Sequence, residues 1–508
     1  MVLEAFGQAL LNLASLELWV YIVAGSVLGI IIGIIPGIGS VVGLAIVLPF
    51  VFLLPQREAL ALMVAMCSGS YTGGSITSIL LNVPGSSVNA ATLLDGYPMS
   101  KKGEAGRALG AAIGASTAGG VLTVLYAFAM VPLVIPLVYA LRSADMVFLV
   151  LLGIAFIAVL TEKSATRALI AGVLGLMISL IGVHITTGVP RFTGDIIYLF
   201  DGLPLAAVVL GLFAIPEMIV LAAGGGTIAR GTLVTGVQGA LEGVKDVFRH
   251  WWLFLRCSVI GYLIGVIPGI GATAAVFIAY AHAKQTSGNP EEFGTGRVEG
   301  VVAPETANNA KEAGSLLTTL AFGIPGSAEG AFFLGAFLIM GITPGPEMIT
   351  KYLPLSLTLF LIIIIGNLLA GAICFALATR LAKICLIPSR ILVPICLMVI
   401  FVGVYVGSQK FNDLVVALAF GALGLAMIRF GFSRPALLLG FVLGKLFEKY
   451  LFISIGVDGP LFWARPISIA LILMIAGVIA YNPLMTLLKH LSGKGVKEVW
   501  IEKPTPSS

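Results

Sequence analysis

The chain has 508 residues, of which 59% are hydrophobic and 10% are charged, with a formal net charge of +5 at pH 7. Soluble globular domains are usually about 45–50% apolar and about 25% charged, and a soluble fold of this length could not bury so much apolar surface. The composition therefore excludes a soluble protein and predicts a polytopic membrane protein. The small positive excess is spread over short loops, which argues against a nucleic-acid partner.

The apolar segments predict an all-α fold with about 11–12 transmembrane helices, since one span needs about 20 mainly apolar residues. In chain order, the candidate segments are 17–54, 58–82, 108–140, 144–161, 167–187, 202–224, 251–281, 313–340, 353–379, 390–408, 412–429, 434–453 and 467–488. The first segment is too long for one upright helix at about 1.5 Å per residue. Proline and glycines between Gly33 and Gly39 predict a break in its middle.

A polar stretch divides the chain near its middle. We predict a first membrane repeat at 1–224, a cytoplasmic linker at 225–250, a second membrane repeat at 251–489 and a cytoplasmic tail at 490–508. The basic clusters around Lys101, Arg380, Arg429 and Lys489 belong with this linker on the cytoplasmic side.

This placement is self-consistent if segments 58–82 and 313–340, which run into Pro-Gly, are re-entrant hairpins. It gives the first half an odd number of crossings, so the second half would be inverted. It also puts the polar loop 284–311, with Lys311 at its end, on the external side.

Two interrupted motifs recur in the same order in both halves. The proline of the first motif, Pro36, returns as Pro268, 232 positions later, and that of the second, Pro84, returns as Pro325, 241 positions later. Two motifs that recur in order indicate a duplication. The sequence thus predicts two inverted repeats with broken helices and re-entrant Pro-Gly hairpins.

The interruptions favour transport. Proline and glycine free backbone amides and carbonyls, which are tolerated at membrane depth only when they are buried in protein or line a wet cavity. Paired interruptions in two halves are the best sequence sign of a transporter's central site, and helix N-termini there suit an anionic substrate. The alternative is that these residues only kink the helices and that the nearby hydroxyls join helices through hydrogen bonds.

At these motifs the chain resembles the large membrane subunit of the tripartite tricarboxylate transporter family. The matching stretches are Gly33 to Gly39, Ser70 to Gly85, Thr92 to Met99, Pro268 to Gly271, Gly300 to Ala310, Gly323 to Ser327 and Gly341 to Pro346. Ser40, Ser86, Ser87 and Thr318 depart from the family pattern, which bears on the substrate more than on the class.

This resemblance implies a secondary carrier for carboxylates in the bacterial inner membrane. It also implies two partners, a small four-helix membrane subunit and a periplasmic solute-binding protein.

The candidate site residues cluster at the interruptions. For substrate binding we predict Pro36, Gly37, Gly39, Ser75, Asn82, Pro84, Gly85, Ser86, Ser87, Pro268, Gly269, Gly271, Asn308, Asn309, Pro325, Gly326 and Ser327. For ion coupling we predict Asn82, Ser86, Ser327 and Glu329. We expect no cofactor and no bound metal other than a co-transported sodium ion, with protons as the alternative coupling ion.

No catalytic motif stands among the spans, and the absence of a Walker A loop excludes ATP hydrolysis by that route. The energy for transport would then come from an ion gradient or from a partner. Two other classes stay open, an intramembrane enzyme acting on a lipid-linked substrate and a channel. Tricarboxylates, dicarboxylates and aromatic acids all suit a site built from helix N-termini and hydroxyls.

Overall fold

The computed structural model describes residues 2–35, 38–160, 165–184, 186–224, 239–268, 271–381 and 389–491. These residues are almost entirely helical, apart from one antiparallel pair of short strands, β1 (Gly182–Val183) and β2 (Pro190–Arg191). The all-α class is confirmed. Three predicted site residues, Pro36, Gly37 and Gly269, lie outside the described residues.

The first half of the chain contains ten α-helices within the described residues. They are α1 (Val2–Leu13), α2 (Leu16–Ile34), α3 (Gly39–Val47), α4 (Gln56–Leu81), α5 (Ala90–Lys101), α6 (Ala105–Ala140), α7 (Ser143–Leu160), α8 (Ala165–Ser179), α9 (Leu205–Val209) and α10 (Ile215–Gly224). A π-helical turn, Leu210–Ala214, joins α9 to α10.

The linker and the second half contain eleven more described helices. They are α11 (Ala240–Arg249), α12 (Trp251–Val266), α13 (Gly271–Thr286), α14 (Glu299–Phe322), α15 (Ala328–Ile339), α16 (Pro346–Ile349), α17 (Leu353–Leu381), α18 (Ser389–Ser408), α19 (Asn412–Phe430), α20 (Arg434–Asp458) and α21 (Pro466–Leu491).

Among the described residues, six helices are long and apolar enough to cross a membrane. One bent pair of helices could form a seventh span, Arg434–Ala464 with Pro466–Ala480. Seven shorter apolar helices accompany them. The polytopic class is therefore confirmed, while the total of 11–12 spans stays a prediction.

Helices α2 and α3 form a hairpin whose tip lies at the first motif. A Cβ at Gly25 would lie 2.4 Å from the carbonyl oxygen of Leu62, and a Cβ at Gly33 would lie 2.2 Å from that of Ser70. Helix α2 therefore runs parallel to α4 in close backbone contact. Gly43 of α3 faces Ile32 of α2, so α3 folds back along α2. The break predicted between residues 33 and 39 is confirmed.

Helices α12 and α13 repeat this hairpin in the second half. Tyr280 of α13 donates a hydrogen bond to Asp95 at 2.8 Å. The same carboxylate accepts hydrogen bonds from the backbone amides of Gly294, Gly296 and Arg297, which directly precede α14. The end of α13 therefore lies beside the start of α14, and the chain has turned back after the motif at Pro268.

The connection between α4 and α5 folds back along α4, but α5 then continues in the direction of α4. The Asn89 amide donates to the carbonyl oxygen of Tyr71 at 2.9 Å, while Ser100, near the end of α5, donates to that of Ile79 at 2.7 Å. Segment 58–82 is thus one continuous helix, which is followed by a break and then by α5. The hairpin turns belong to the motifs at Pro36 and Pro268.

In the second half Ser315 donates to Ser327 at 2.9 Å, and a Cβ at Gly330 would lie 2.8 Å from the Thr319 hydroxyl, so α15 likewise continues in the direction of α14. Our assignment of the hairpins to 58–82 and 313–340 is corrected accordingly.

The polar stretch before residue 311 is mainly helix. Helix α14 begins at Glu299, and Lys311 in its middle is only 2% exposed. The remaining loop lies beside Asp95 on α5, and Glu299 lies 3.4 Å from His250 at the end of the linker helix α11. Residues 299–311 are therefore helix and not loop, and the prediction that this loop and the linker lie on opposite sides is wrong, while the side itself stays a prediction. The low hydropathy of residues 299–311 reflects polar residues buried against protein, a signal that hydropathy cannot distinguish from a solvent-exposed loop.

The equivalent helices of the two repeats cross in opposite directions. Ser68 of α4 donates to Glu312 at 2.7 Å, and Ser75 donates to Glu305 at 2.7 Å. Advancing along α4 therefore means going backwards along α14, which is the relation that an inverted repeat requires.

Candidate functional site

The two helix breaks share their backbone geometry. Asn82 ends α4 in the left-handed region with φ 57°, and Gly323 ends α14 with φ 64°. Ser86 has φ −148° and ψ 174°, and its counterpart Ser327 has φ −149° and ψ 174°. These residues are the same 241 positions apart as the two prolines. The duplication seen in the sequence is therefore present in the local backbone.

Each break packs against the hairpin tip of its own repeat. A Cβ at Gly85 would lie 2.1 Å from the carbonyl oxygen of Gly33, and a Cβ at Gly326 would lie 2.5 Å from that of Gly265. These positions require glycine because any side chain would collide with backbone. The two kinds of motif thus meet at one place in each repeat.

Hydroxyl contacts also join the breaks to the opposite repeat. Ser40 at the start of α3 donates to Glu329 at 2.7 Å, and Thr273 at the start of α13 donates to Ser87 at 2.9 Å. Both breaks therefore lie at the interface between the repeats.

A small buried cavity of about 20 Å³ lies at the second break. Lys311, Glu312 and Glu329 line it, together with Tyr71 of the first repeat and Ser327. The Lys311 ammonium lies 3.8 Å from the centre of the Tyr71 ring, a favourable cation–π contact. A cavity of this size holds roughly one water molecule. The repeats are therefore closed around a charged site.

A hydrogen-bonded network extends from this cavity along the repeat interface. Asn367 of α17 donates to Glu312 at 3.2 Å, and it accepts from Asn309 at 2.5 Å. Asn309 also donates to Thr72 of α4 at 3.3 Å. All of these side chains are buried. Predicted site residue Asn309 thus belongs to the same polar interface as Lys311 and Glu312.

Glu305 forms a second buried cluster at the first break. Ser75 and Ser116 donate to its carboxylate at 2.7 and 2.6 Å, and Thr92 donates to it as well. Asn308 follows one turn later on α14 and is 0% exposed.

The structure brings most of the predicted residues together at these two places. Gly39, Ser75, Asn308, Asn309, Pro325, Gly326, Ser327 and Glu329 are buried, Pro84, Ser86 and Pro268 are half-buried, and Ser87 is exposed. Gly85 is buried too, and Gly271 begins α13. Asn82 is exposed, and its left-handed backbone matches that of Gly323.

Sequence analysis missed Glu305, Lys311, Glu312, Tyr71 and Asn367. The first three were assigned to a loop or its border, although they lie on one buried helix. Glu305 and Glu312 are seven residues apart, a spacing that places both on similar faces of a helix. That periodicity within 299–322 was the signal that could have found them.

Comparison with known proteins identifies the family. A model of the Tripartite tricarboxylate transporter TctA family matches residues 19–439. The chain belongs to this family. The resemblance inferred from the motifs is therefore confirmed over most of the chain.

Two relatives come from Agrobacterium vitis. One is an uncharacterized 52.8 kDa protein in the TAR-I ttuC' 3'region, 35% identical over 472 residues that cover 89% of this chain and 90% of the relative. The other is an uncharacterized protein in the TAR-II ttuC' 3'region, 39% identical over 216 residues that cover 42% of this chain and 89% of the relative. No solved structure matches this TctA-family chain.

Proposed function

We propose that this TctA-family protein is the substrate-carrying membrane subunit of a binding-protein-dependent, ion-gradient-driven transporter that takes up tricarboxylates or related organic acids. It works in the bacterial inner membrane with a cytoplasmic C-terminus. Its partners are a small membrane subunit and a periplasmic solute-binding protein.

The observation that carries this proposal is the buried ammonium of Lys311 at the repeat interface. Ionisable side chains inside a membrane protein are unfavourable and are usually functional. Lys311 lies in the cavity where α14 breaks and α15 begins, so an ammonium and a helix N-terminus face one site. Both features attract carboxylates. We assign the organic acid to this site.

The charges of the cavity support ion coupling. Two carboxylates, Glu312 and Glu329, accompany the single ammonium of Lys311. An anionic substrate would add further negative charge to a buried site that already holds an excess of carboxylate. Uptake of a cation with the substrate offsets this repulsion, so a cation gradient drives accumulation of the acid.

The closed cavity supports alternating access. About 20 Å³ is far too small for an organic acid, so the two repeats must separate to admit it. Because the equivalent helices of the two repeats run in opposite directions, the repeats can separate in the same way towards either side of the membrane. The halves should superpose after rotation about an axis in the membrane plane.

The test is uptake by the complete chain in proteoliposomes that also contain the small membrane subunit. Labelled citrate, a dicarboxylate and an aromatic acid are offered with and without the binding protein, under an inward sodium gradient, a proton gradient or no gradient. We expect accumulation of at least one acid only with the binding protein and an ion gradient. Robust uptake by the isolated chain, or flux that only equilibrates and never accumulates, contradicts the proposal, and the latter outcome indicates a channel.

A further inference from the structure

Glu305 is a buried carboxylate that the proposed substrate site does not use. Its hydrogen-bond partners within the described part of the chain include hydroxyl groups from three helices, Ser75 of α4, Thr92 of α5 and Ser116 of α6. A buried carboxylate is usually paired with a basic side chain or holds a cation. These partners supply oxygen atoms and no positive charge.

Asn308 provides an independent sign of a ligand. This side chain lies beside the Glu305 carboxylate. It is 0% exposed, its amide nitrogen faces the Glu305 carboxylate, and its amide oxygen makes no hydrogen bond. Buried side-chain amides in native proteins almost always have partners. A buried amide oxygen without a donor, next to a carboxylate, is therefore a free ligand for a cation.

The internal repeat shows that folding alone does not require polar residues here. At the corresponding places 241 positions away, Val64 matches Glu305, Leu316 matches Ser75 and Phe333 matches Thr92. These three apolar residues also lie together, on the cavity at the second break. The same backbone arrangement thus packs with three apolar side chains at the second break, and with a carboxylate and two hydroxyls at the first break.

We propose that Glu305, Ser75, Thr92, Ser116 and Asn308 bind a sodium ion, and this assignment rests on the proposed function as an ion-driven carrier. The residues offer two carboxylate oxygens, three hydroxyl oxygens and one amide oxygen, which are the ligands that hard cations prefer. One carboxylate balances one positive charge, so a monovalent ion leaves no net charge buried, whereas a divalent ion would.

The sodium site and the substrate site share one rigid element. Glu305 and Lys311 are six residues apart on α14, or about 9 Å at about 1.5 Å per residue. A cation at Glu305 and an anion at Lys311 would therefore attract each other across low-dielectric protein. Occupation of one site favours occupation of the other, which is the thermodynamic requirement for co-transport.

The experiment measures the unfolding temperature of the purified complete chain with its small subunit, as NaCl replaces choline chloride at constant ionic strength. We expect sodium to raise the unfolding temperature of the wild type and choline to have no effect. Glu305→Gln keeps the shape and should abolish the sodium-dependent rise. Ser116→Ala removes one ligand and should raise the half-saturating sodium concentration about 5- to 150-fold.

Ser26→Ala is the matched control, because Ser26 is a buried hydroxyl that donates within its own helix to Ile22. It should keep the wild-type sodium dependence. If Glu305→Gln fails to fold, the half-saturating sodium concentrations of Ser116→Ala and Ser26→Ala can still be compared, and this comparison decides whether the site exists. A wild type that does not respond to sodium, or a Ser116→Ala variant with the wild-type half-saturation, overturns the site.

Uptake in proteoliposomes separates this inference from the proposed function. Accumulation of a labelled acid under a proton gradient alone, without sodium, overturns the sodium site and leaves the carrier function intact. Sodium-dependent stabilisation that Glu305→Gln abolishes, in a protein that takes up no organic acid, supports the site and contradicts the carrier function.

Discussion

At the first helix break the buried charge is the single carboxylate of Glu305 among hydroxyls, whereas the second break holds the ammonium of Lys311 beside the carboxylates of Glu312 and Glu329. The backbone dihedral angles of the two breaks nevertheless agree closely. The duplicated fold therefore supplies two similar backbone frames, and the side chains that differ between them give each its charge. The residues that break the internal symmetry are the best candidates for function.

Removal of the ammonium at the second break should have the largest effect. Lys311→Met leaves Glu312 and Glu329 without their nearby positive charge, and breaking a buried charge set of this kind lowers stability by about 3–5 kcal/mol. We expect loss of organic-acid uptake and a lower unfolding temperature.

The double variant Lys311→Met with Glu329→Gln provides the control. It should recover much of the unfolding temperature, because less unpaired charge remains buried, but it should not recover uptake. Uptake at the wild-type rate by either variant would show that Lys311 does not bind substrate.

Substitution of the glycines at the two helix breaks should lower stability to a similar extent, because the two glycines are packed in the same way. Gly85→Ala and Gly326→Ala place a methyl group 2.1 and 2.5 Å from backbone oxygens, so each should lower stability by about 1–3 kcal/mol. Gly456→Ala is the control, because a Cβ there would have no atom within 4 Å apart from its chain neighbours and the backbone of its own helix. Thermal unfolding in detergent measures all three. If the substitution lowered the unfolding temperature at only one break, the two breaks would differ in packing as well as in charge.

Asn82 offers a sharper test, because Gly323 occupies the equivalent left-handed position. If Asn82 serves the backbone, Asn82→Gly should take up organic acids normally, while Asn82→Ala should lose about 1–2 kcal/mol of stability through its unfavourable positive φ. If the side chain instead binds substrate or sodium, both variants should raise the half-saturating concentration of that ligand. Uptake measured against acid and sodium concentrations decides between the two.

The smallest effect concerns His250, which lies between α11 and α12, outside the proposed spans. The hydrogen bond to the Glu299 carboxylate raises the pKa of His250 above its ordinary value. The protonated form is therefore stabilised in the folded state, and this contribution is complete below about pH 6.5 and is lost as the pH rises through the raised pKa.

We accordingly expect His250→Gln to unfold at a lower temperature than the wild type at pH 5.5 and at the same temperature at pH 9. The difference in the free energy of unfolding at pH 5.5 should be less than about 1 kcal/mol. Glu299→Gln should remove the same pH dependence. A wild-type advantage that grows towards pH 9 would contradict this assignment.

The sequence was sufficient for the class, the duplication and the break positions, because hydropathy and paired Pro-Gly motifs act locally. It was insufficient for the charged interface. Glu305, Lys311 and Glu312 lower the hydropathy of α14, and a buried polar helix then has the composition of a loop. Only packing against α4 distinguishes the two, and that contact joins residues more than 200 positions apart.

Which motif forms the hairpin was equally inaccessible to sequence reasoning. Both motifs contain Pro-Gly, and both interrupt a helix. The direction of the chain after each interruption depends on tertiary partners, such as the pairing of Asp95 with the loop before α14. Composition contains no such information.

Cys67 lies buried on the wall of the small cavity, close to Lys311. A thiol in that position reacts with a water-soluble maleimide only while the wall is exposed to solvent. The chain thus carries a native chemical reporter of its own opening. With the other cysteines replaced by alanine, alkylation from one face of a sealed vesicle would time the exposure of the cavity to that face, in the presence or absence of each transported solute.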